Sequence, residues 1–234
     1  YRLEFGDGTV NEAIDPYARA VTANGEHTVV VDAERIVPEG WSGKRMAPFS
    51  SMQDAIIYEA HVRDLTVGPD NGITHKGKFL GLTEAETKTQ AGNPSGLDYL
   101  KSLGITHLQL LPIYDFGSVD ETGDLSFNVQ YNWGYDPQNY NVPEGSYSTN
   151  PQDPTARIVE LKSMIDVLHN NGIRVIMDVV YNHVYVAEHS PLQQTVPNYF
   201  FRTDPQGNFL DGTGVGNETA SERPMMRKYI VDSV

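Results

Sequence analysis

The sequence predicts an α/β fold of the (β/α)8 barrel type, and three observations predict it. Strand-like and helix-like stretches alternate from about residue 55 onward, which is the pattern of parallel βα units. Loops that follow strands are much longer than loops that follow helices, and in a barrel the strand-to-helix loops build the functional face. The third strand is almost continuously apolar, as strands buried on both faces are. A doubly wound sheet is the runner-up.

Residues 1 to about 50 read as a leader of short strands and turns. Gly6-Asp7-Gly8 and Asn24-Gly25 are turns, and Thr28-Val29-Val30-Val31 is a strand between turn signals. After Pro48 the pattern changes. Ala55 to Leu65 begins as an apolar strand and becomes polar toward its C-terminal end. Ser95 to Gly104 predicts a short helix, with Leu97, Leu100 and Leu103 on one face and Gly104 as the stop. Ile105 to Pro112 is the second strand, and a long loop runs from it to Asp153.

Asp153-Pro154 reads as the N-cap and first residue of the next helix. Ile158, Leu161, Ile165 and Leu168 keep the helical period, and Asn171-Gly172 ends it. Arg174 to Tyr181 is the third strand. A second long loop, rich in Gly, Asn, Pro and Thr, precedes a helix over Arg223 to Val234. The expected division is a leader, residues 1–50, and part of a barrel, residues 51–234. Three strands fall short of eight, and a full barrel usually needs roughly 250 residues, so the barrel is expected to continue beyond Val234. The chain opens mid-pattern at Tyr1-Arg2-Leu3, so its true N-terminus is expected upstream.

Composition narrows the function. Lys+Arg number 17 against 31 Asp+Glu, a net charge of −14, which argues against a nucleic-acid partner. There is no basic tract for a membrane surface and no apolar run long enough for a span. With no cysteine, disulfides and thiol catalysis are excluded; a secreted bacterial protein and a cytoplasmic one fit equally well. The hydrophobic fraction of 39% supports a sizeable core.

Two motifs carry chemistry. Tyr131-Asn132-Trp133-Gly134-Tyr135-Asp136-Pro137 sets three aromatic rings beside an amide and a carboxylate, punctuated by Gly134 and Pro137. Such a loop either presents flat faces to a sugar or plugs the domain with its rings. Asp178 lies inside an apolar strand, where a charge is costly unless paired or hydrogen-bonded. Strand alternation places Asp178 and Asn182 on one side, and His183 follows at the C-terminal edge, where barrel functional residues collect. That cluster could bind metal, do acid–base work, hold polar ligand groups, or simply satisfy the strand end.

Asp178-Val-Val-Tyr-Asn182-His183 resembles the first shared motif of the α-amylase superfamily of glycoside hydrolases. The heptad from Tyr131 to Pro137 resembles the signature of type I pullulanases. Tyr58 to Thr66, Ser95 to Pro112, Glu144 to Ser148, Pro154 to His183 and Gly214 to Val234 read like the same family, and residues 15–20 and 28–32 are similar to the end of the β-sandwich module that precedes its barrel. The resemblance implies retaining cleavage of α-1,6-glucosidic links in pullulan, limit dextrins and branched maltooligosaccharides. It implies that Asp178 and His183 bind the glucose in subsite −1, that Tyr135 stacks on it, and that Asp136 and Trp133 line the same pocket. Asn182 would hold the loop; in some α-amylases its counterpart is a calcium ligand, so a structural calcium ion is compatible, though no cofactor is required. Asn217 is expected to be structural near the site, with Glu218 beside it in a cleft-shaping loop. A monomer is expected.

The family's nucleophile and acid/base lie on later strands, and no carboxylate pair here maps to them. Glu59, Asp115, Asp136 and Glu188 are not promoted in their place. Rival readings are an isoamylase or branching enzyme, and a non-catalytic glucan-binding fragment. His61 faces the cleft or satisfies a strand end, His107 is core, Arg63 and Asp64 are a structural pair, and Glu218 and Glu222 form a solvated face or a helix N-terminal charge.

Overall fold

The computed structural model describes all 234 residues. It opens with an antiparallel pair, β1 (Arg2–Glu4) and β2 (Val10–Glu12), joined through a turn in which Gly8 has φ +87. The strand expected over Thr28 to Val31 is absent; only an isolated bridge joins Val21 to Thr28, and Val30 is 97% exposed. A β-branched run has no intrinsic ladder. Without a neighbouring strand its propensity goes unused.

The central sheet holds β3 (Ile57–Ala60), β4 (His107–Leu110) and β7 (Arg174–Met177), in that order and all parallel. Between them run α1 (Val62–Thr66), α2 (Gly96–Ser102) and α3 (Ala156–Asn170). The face of the sheet bearing Ala60, Leu108 and Leu110 is buried against Leu97 and Leu100 of α2 and Met164 and Leu168 of α3. The opposite face is open: Ile57 is about half exposed and Glu59 is exposed. Helices on one face only are the layering of a barrel wall, whereas a doubly wound sheet is covered on both faces.

Other sequence expectations also need correction. The polar end of the first strand is helical, because His61 turns the chain: its Nδ1 accepts the Asp64 N–H at 3.3 Å and caps α1. The long loop before α3 contains an antiparallel ribbon, β5 (Tyr114–Phe116) with β6 (Pro137–Pro143). Prolines at both ends of β6 and a bulged register hid it. The third strand stops at Met177 and is not buried on both faces; Met177 and Val179 are more than a third exposed. Asp178 is therefore half-buried at the strand's end rather than inside it.

Helix α3 starts two residues later than expected, at Ala156; Asp153 still works at its entrance by accepting the Thr155 N–H at 2.9 Å. After β7 come α4 (Pro191–Thr195) and α5 (Pro224–Ser233). A second core forms around Tyr140, Phe201, Met226 and Tyr229 and holds these loops to the ribbon.

Candidate active site

The heptad is fastened to the C-terminal ends of all three parallel strands. After β3, the buried His61 places Nε2 2.9 Å from the Asn132 carbonyl. Its Nδ1 already accepts a backbone N–H, so Nε2 carries the proton and donates. Burial holds this imidazole below its ordinary value, which keeps it neutral. After β4, Gly134 sits with φ +92 against Pro112; a β-carbon there would lie 2.5 Å from the Pro112 carbonyl oxygen, so only glycine fits. After β7, the Tyr135 hydroxyl donates to Asp178 Oδ2 at 2.6 Å.

Inside the loop, Asn132 is the organiser. Its amide nitrogen donates to Asp136 Oδ1 at 2.6 Å and to the Ser118 hydroxyl, and its oxygen accepts the Gly134 N–H at 2.5 Å. The rings are left open: Tyr131 is 52%, Trp133 62% and Tyr135 38% exposed. They do not plug the domain. Tyr135 is pushed up to about 12 by burial first, then by the bond to and charge of Asp178, so at neutral pH its hydroxyl remains a donor.

His183 is buried beneath Tyr135. Burial pulls it below its ordinary value, more strongly than the Tyr135 carbonyl and the charge of Asp136 raise it. The Asn182 amide donates to its Nδ1 at 3.0 Å, which leaves the proton on Nε2. Asn217 clamps the following residue, giving its Nδ2 to the Val184 carbonyl at 2.7 Å and accepting the Val184 N–H at 3.0 Å. Glu218 does not reach this cluster; it and Glu222 share Arg202, at 3.2 and 2.7 Å. That ion-paired bridge replaces the expected solvated face.

The structure therefore brings Tyr135, Asp178, His183 and Asp136 together, keeps Trp133 as an exposed neighbour, and gives Asn182 and Asn217 supporting places. Sequence reasoning passed over Asn132, whose signal was its position two residues before a glycine, where Asx side chains close turns.

Three buried carboxylates elsewhere, Asp115, Glu121 and Glu144, have ligand atoms within 4.8 Å of one another, the spacing of an ion site. The positive charge there is already supplied. Fully buried Arg157 donates to Asp115 at 3.0 Å and to Glu121 at 3.1 and 2.6 Å. Asn139 and the backbone N–H groups of Asn24, Phe116, Gly145 and Ser146 take the remaining oxygens. The oxygens of this cluster are thus satisfied by protein donors without a calcium ion.

The sequence profile described as "Alpha amylase, catalytic domain" matches residues 82–222, more than half of the chain. The chain belongs to the α-amylase family. Among curated relatives, the pullulanase of Bacillus subtilis strain 168 is 52% identical over 95% of this chain and 30% of its own length. A rice isoamylase, isoamylase 1 of the chloroplast, is 30% identical over 95% of this chain and 28% of its own. Among solved structures, the pullulanase of Paenibacillus barengoltzii in complex with maltohexaose and α-cyclodextrin superposes with a TM-score of 0.94 at 55% identity, over 99% of this chain and 36% of that one. The chain thus spans about a third of the length of the α-amylase-family relatives it matches.

Proposed function

We propose that this chain is part of a debranching glycoside hydrolase that cleaves α-1,6-glucosidic links in pullulan and branched α-glucans with retention. The observation that carries the reading is the heptad fixed to three strand ends, with the open Tyr135 ring held 2.6 Å from Asp178. A glucose ring stacks on Tyr135 through its C–H face, while Asp178 and His183 bind its hydroxyls. Hydrogen bonds that tighten as the sugar ring distorts stabilise the transition state more than the ground state. Asp136 and Trp133 shape the rim.

Residues 1–50 are read as the end of a β-sandwich module and residues 51–234 as the first part of the barrel. Retaining hydrolysis needs two carboxyl groups roughly 5–5.5 Å apart across the scissile bond. The resemblance to the family assigns both catalytic carboxyls to later barrel strands of the full-length protein; Asp136, bonded to Asn132, and Glu59, bonded to Gln109, are not put in their place. No cofactor is part of this reading, and the protein works as a monomer.

Isoamylase-type activity is the second reading, supported by the 30% identity to the rice enzyme and disfavoured by the 52% identity to a pullulanase. Assay of the full-length protein on pullulan and on amylopectin separates them. Maltotriose release from pullulan is the expected result. Activity confined to amylopectin would transfer the assignment to the isoamylases, and no reducing-sugar release from either would remove it.

A further inference from the structure

A cavity of about 550 Å³ lies between the leader and the loops behind the heptad. Glu12, Glu26 and His27 line it from the leader, Gln138 from β6, and Tyr185 and His189 from the loop after His183. Its volume falls in the roughly 300–1,000 Å³ range of small-molecule sites. No lysine or arginine side chain lines it, and two glutamates do. Carboxylates, an amide and imidazoles offer acceptors and donors for a ligand that carries hydroxyls.

Two tyrosines line this cavity, Tyr1 and Tyr185, and Tyr185 is the one braced by the fold. Its ring lies so close to Gly117 that a β-carbon on Gly117 would stand 1.9 Å from a ring atom. One side of the ring thus rests on bare backbone, and the side chain remains 45% exposed. Its own N–H is bonded to the Pro137 carbonyl at 2.8 Å, which fixes the platform to the last residue of the heptad. The cavity borders the heptad at Pro137, its last residue, while Tyr135, Asp178 and His183 lie outside its lining. A half-open aromatic face ringed by neutral and acidic hydrogen-bonding groups suits the apolar face and hydroxyl rim of a sugar.

We propose that this cavity is a second, non-catalytic seat for a neutral α-glucan chain, with Tyr185 as its stacking platform. The choice of glucan rests on the function proposed above.

The test is calorimetric titration of the full-length protein with maltotetraose. Two binding events are expected in the parent. Tyr135→Ala removes one, and Tyr185→Ala weakens the other by about fivefold to a hundredfold, by analogy with the stacking of a base on an aromatic ring. Tyr185→Phe keeps the second event, and Gly117→Ala weakens it by displacing the ring. Should Tyr185→Ala fail to fold, His27→Trp, at an exposed leader position, blocks the cavity instead and abolishes the event. A parent with one event that vanishes in Tyr135→Ala overturns the seat, as do Tyr185→Ala and His27→Trp proteins that titrate like the parent. Normal pullulan hydrolysis with a single event overturns the seat alone; absent hydrolysis with absent binding removes the functional reading as well.

Discussion

Two groups of carboxylates stand on the loops after β4 and β7, and they use the same chemistry to opposite ends. In the buried cluster, every oxygen of Asp115, Glu121 and Glu144 accepts an N–H from Arg157, Asn139 or the backbone. At the candidate site, Asp178 has one partner on one oxygen, Tyr135, and the surrounding rings are open. A carboxylate whose lone pairs are all taken by protein can only hold the fold. One with capacity left over, beside an exposed ring, can bind a ligand.

The sharpest way to break this contrast is Arg157→Met in the full-length protein. Removing one partner of a buried ion cluster typically costs about 3–5 kcal/mol. At roughly 2–4 °C per kcal/mol for a domain of this size, the melting temperature is expected to fall by on the order of 10 °C. An unchanged melting curve would mean that the cluster is not a structural anchor.

Asp178→Asn should do the reverse. Loss of a transition-state hydrogen-bonding group costs about 10²–10³ in kcat, so pullulan hydrolysis is expected to drop by that order while the melting temperature stays within a few degrees. A larger effect on KM than on kcat would indicate ground-state binding only. Rescue by calcium would turn the residue into a metal ligand.

Tyr135→Ala should cost about tenfold in activity, within the roughly 1–3 kcal/mol that the analogous stacking of a base on an aromatic ring is worth. Tyr135→Phe keeps the ring face and loses the bond that orients Asp178, so it is expected to fall between the parent and the alanine variant. Equal kinetics for the two variants would assign the whole effect to the hydroxyl.

The smallest effect is a pH slope. Burial, and then the charge of Glu121, raise Glu144 from its ordinary 4.5 to about 7. Between those values the folded protein binds more protons than the unfolded chain. Stability from this group is therefore full below about pH 4.5 and is lost as pH rises to about 7. Melting temperatures at pH 5 and pH 8 should differ more in the parent than in Glu144→Gln; identical differences would show that Glu144 does not titrate in this window.

Much of this contrast was legible in the sequence. The parallel strands and helices α2 and α3 followed from periodicity and stop signals, because those elements bury one face in a common core, and α5 was expected too, although it packs in the second core. Asp178 stood out because a carboxylate read as lying inside an apolar strand is costly without a partner, although the strand proved to stop just before it, and Tyr135 stood out as part of a ring-rich loop. The buried cluster did not stand out. Asp115, Glu121, Glu144 and Arg157 are 42 residues apart at the extremes, and nothing in spacing reveals that the ribbon β5–β6 folds them onto one point. The Thr28–Val31 expectation failed for the complementary reason, since a strand needs a neighbour that local sequence does not name.

The leader's contact with that cluster bears on how the protein can be shortened. Asn24, held at φ +59, gives its N–H to Glu121 Oε2 at 2.9 Å and accepts the Glu121 N–H at 2.8 Å. Beside it, Gly25 lies so tightly over the cluster that a β-carbon would meet Gln138 and Asn139 within 2.8 Å. The leader is thus the lid of a sealed box of charge. A version trimmed to begin at Ser51 would open that box to water and leave Glu121 short of a donor, so a barrel expressed without its leader should be the less soluble and more protease-sensitive of the two.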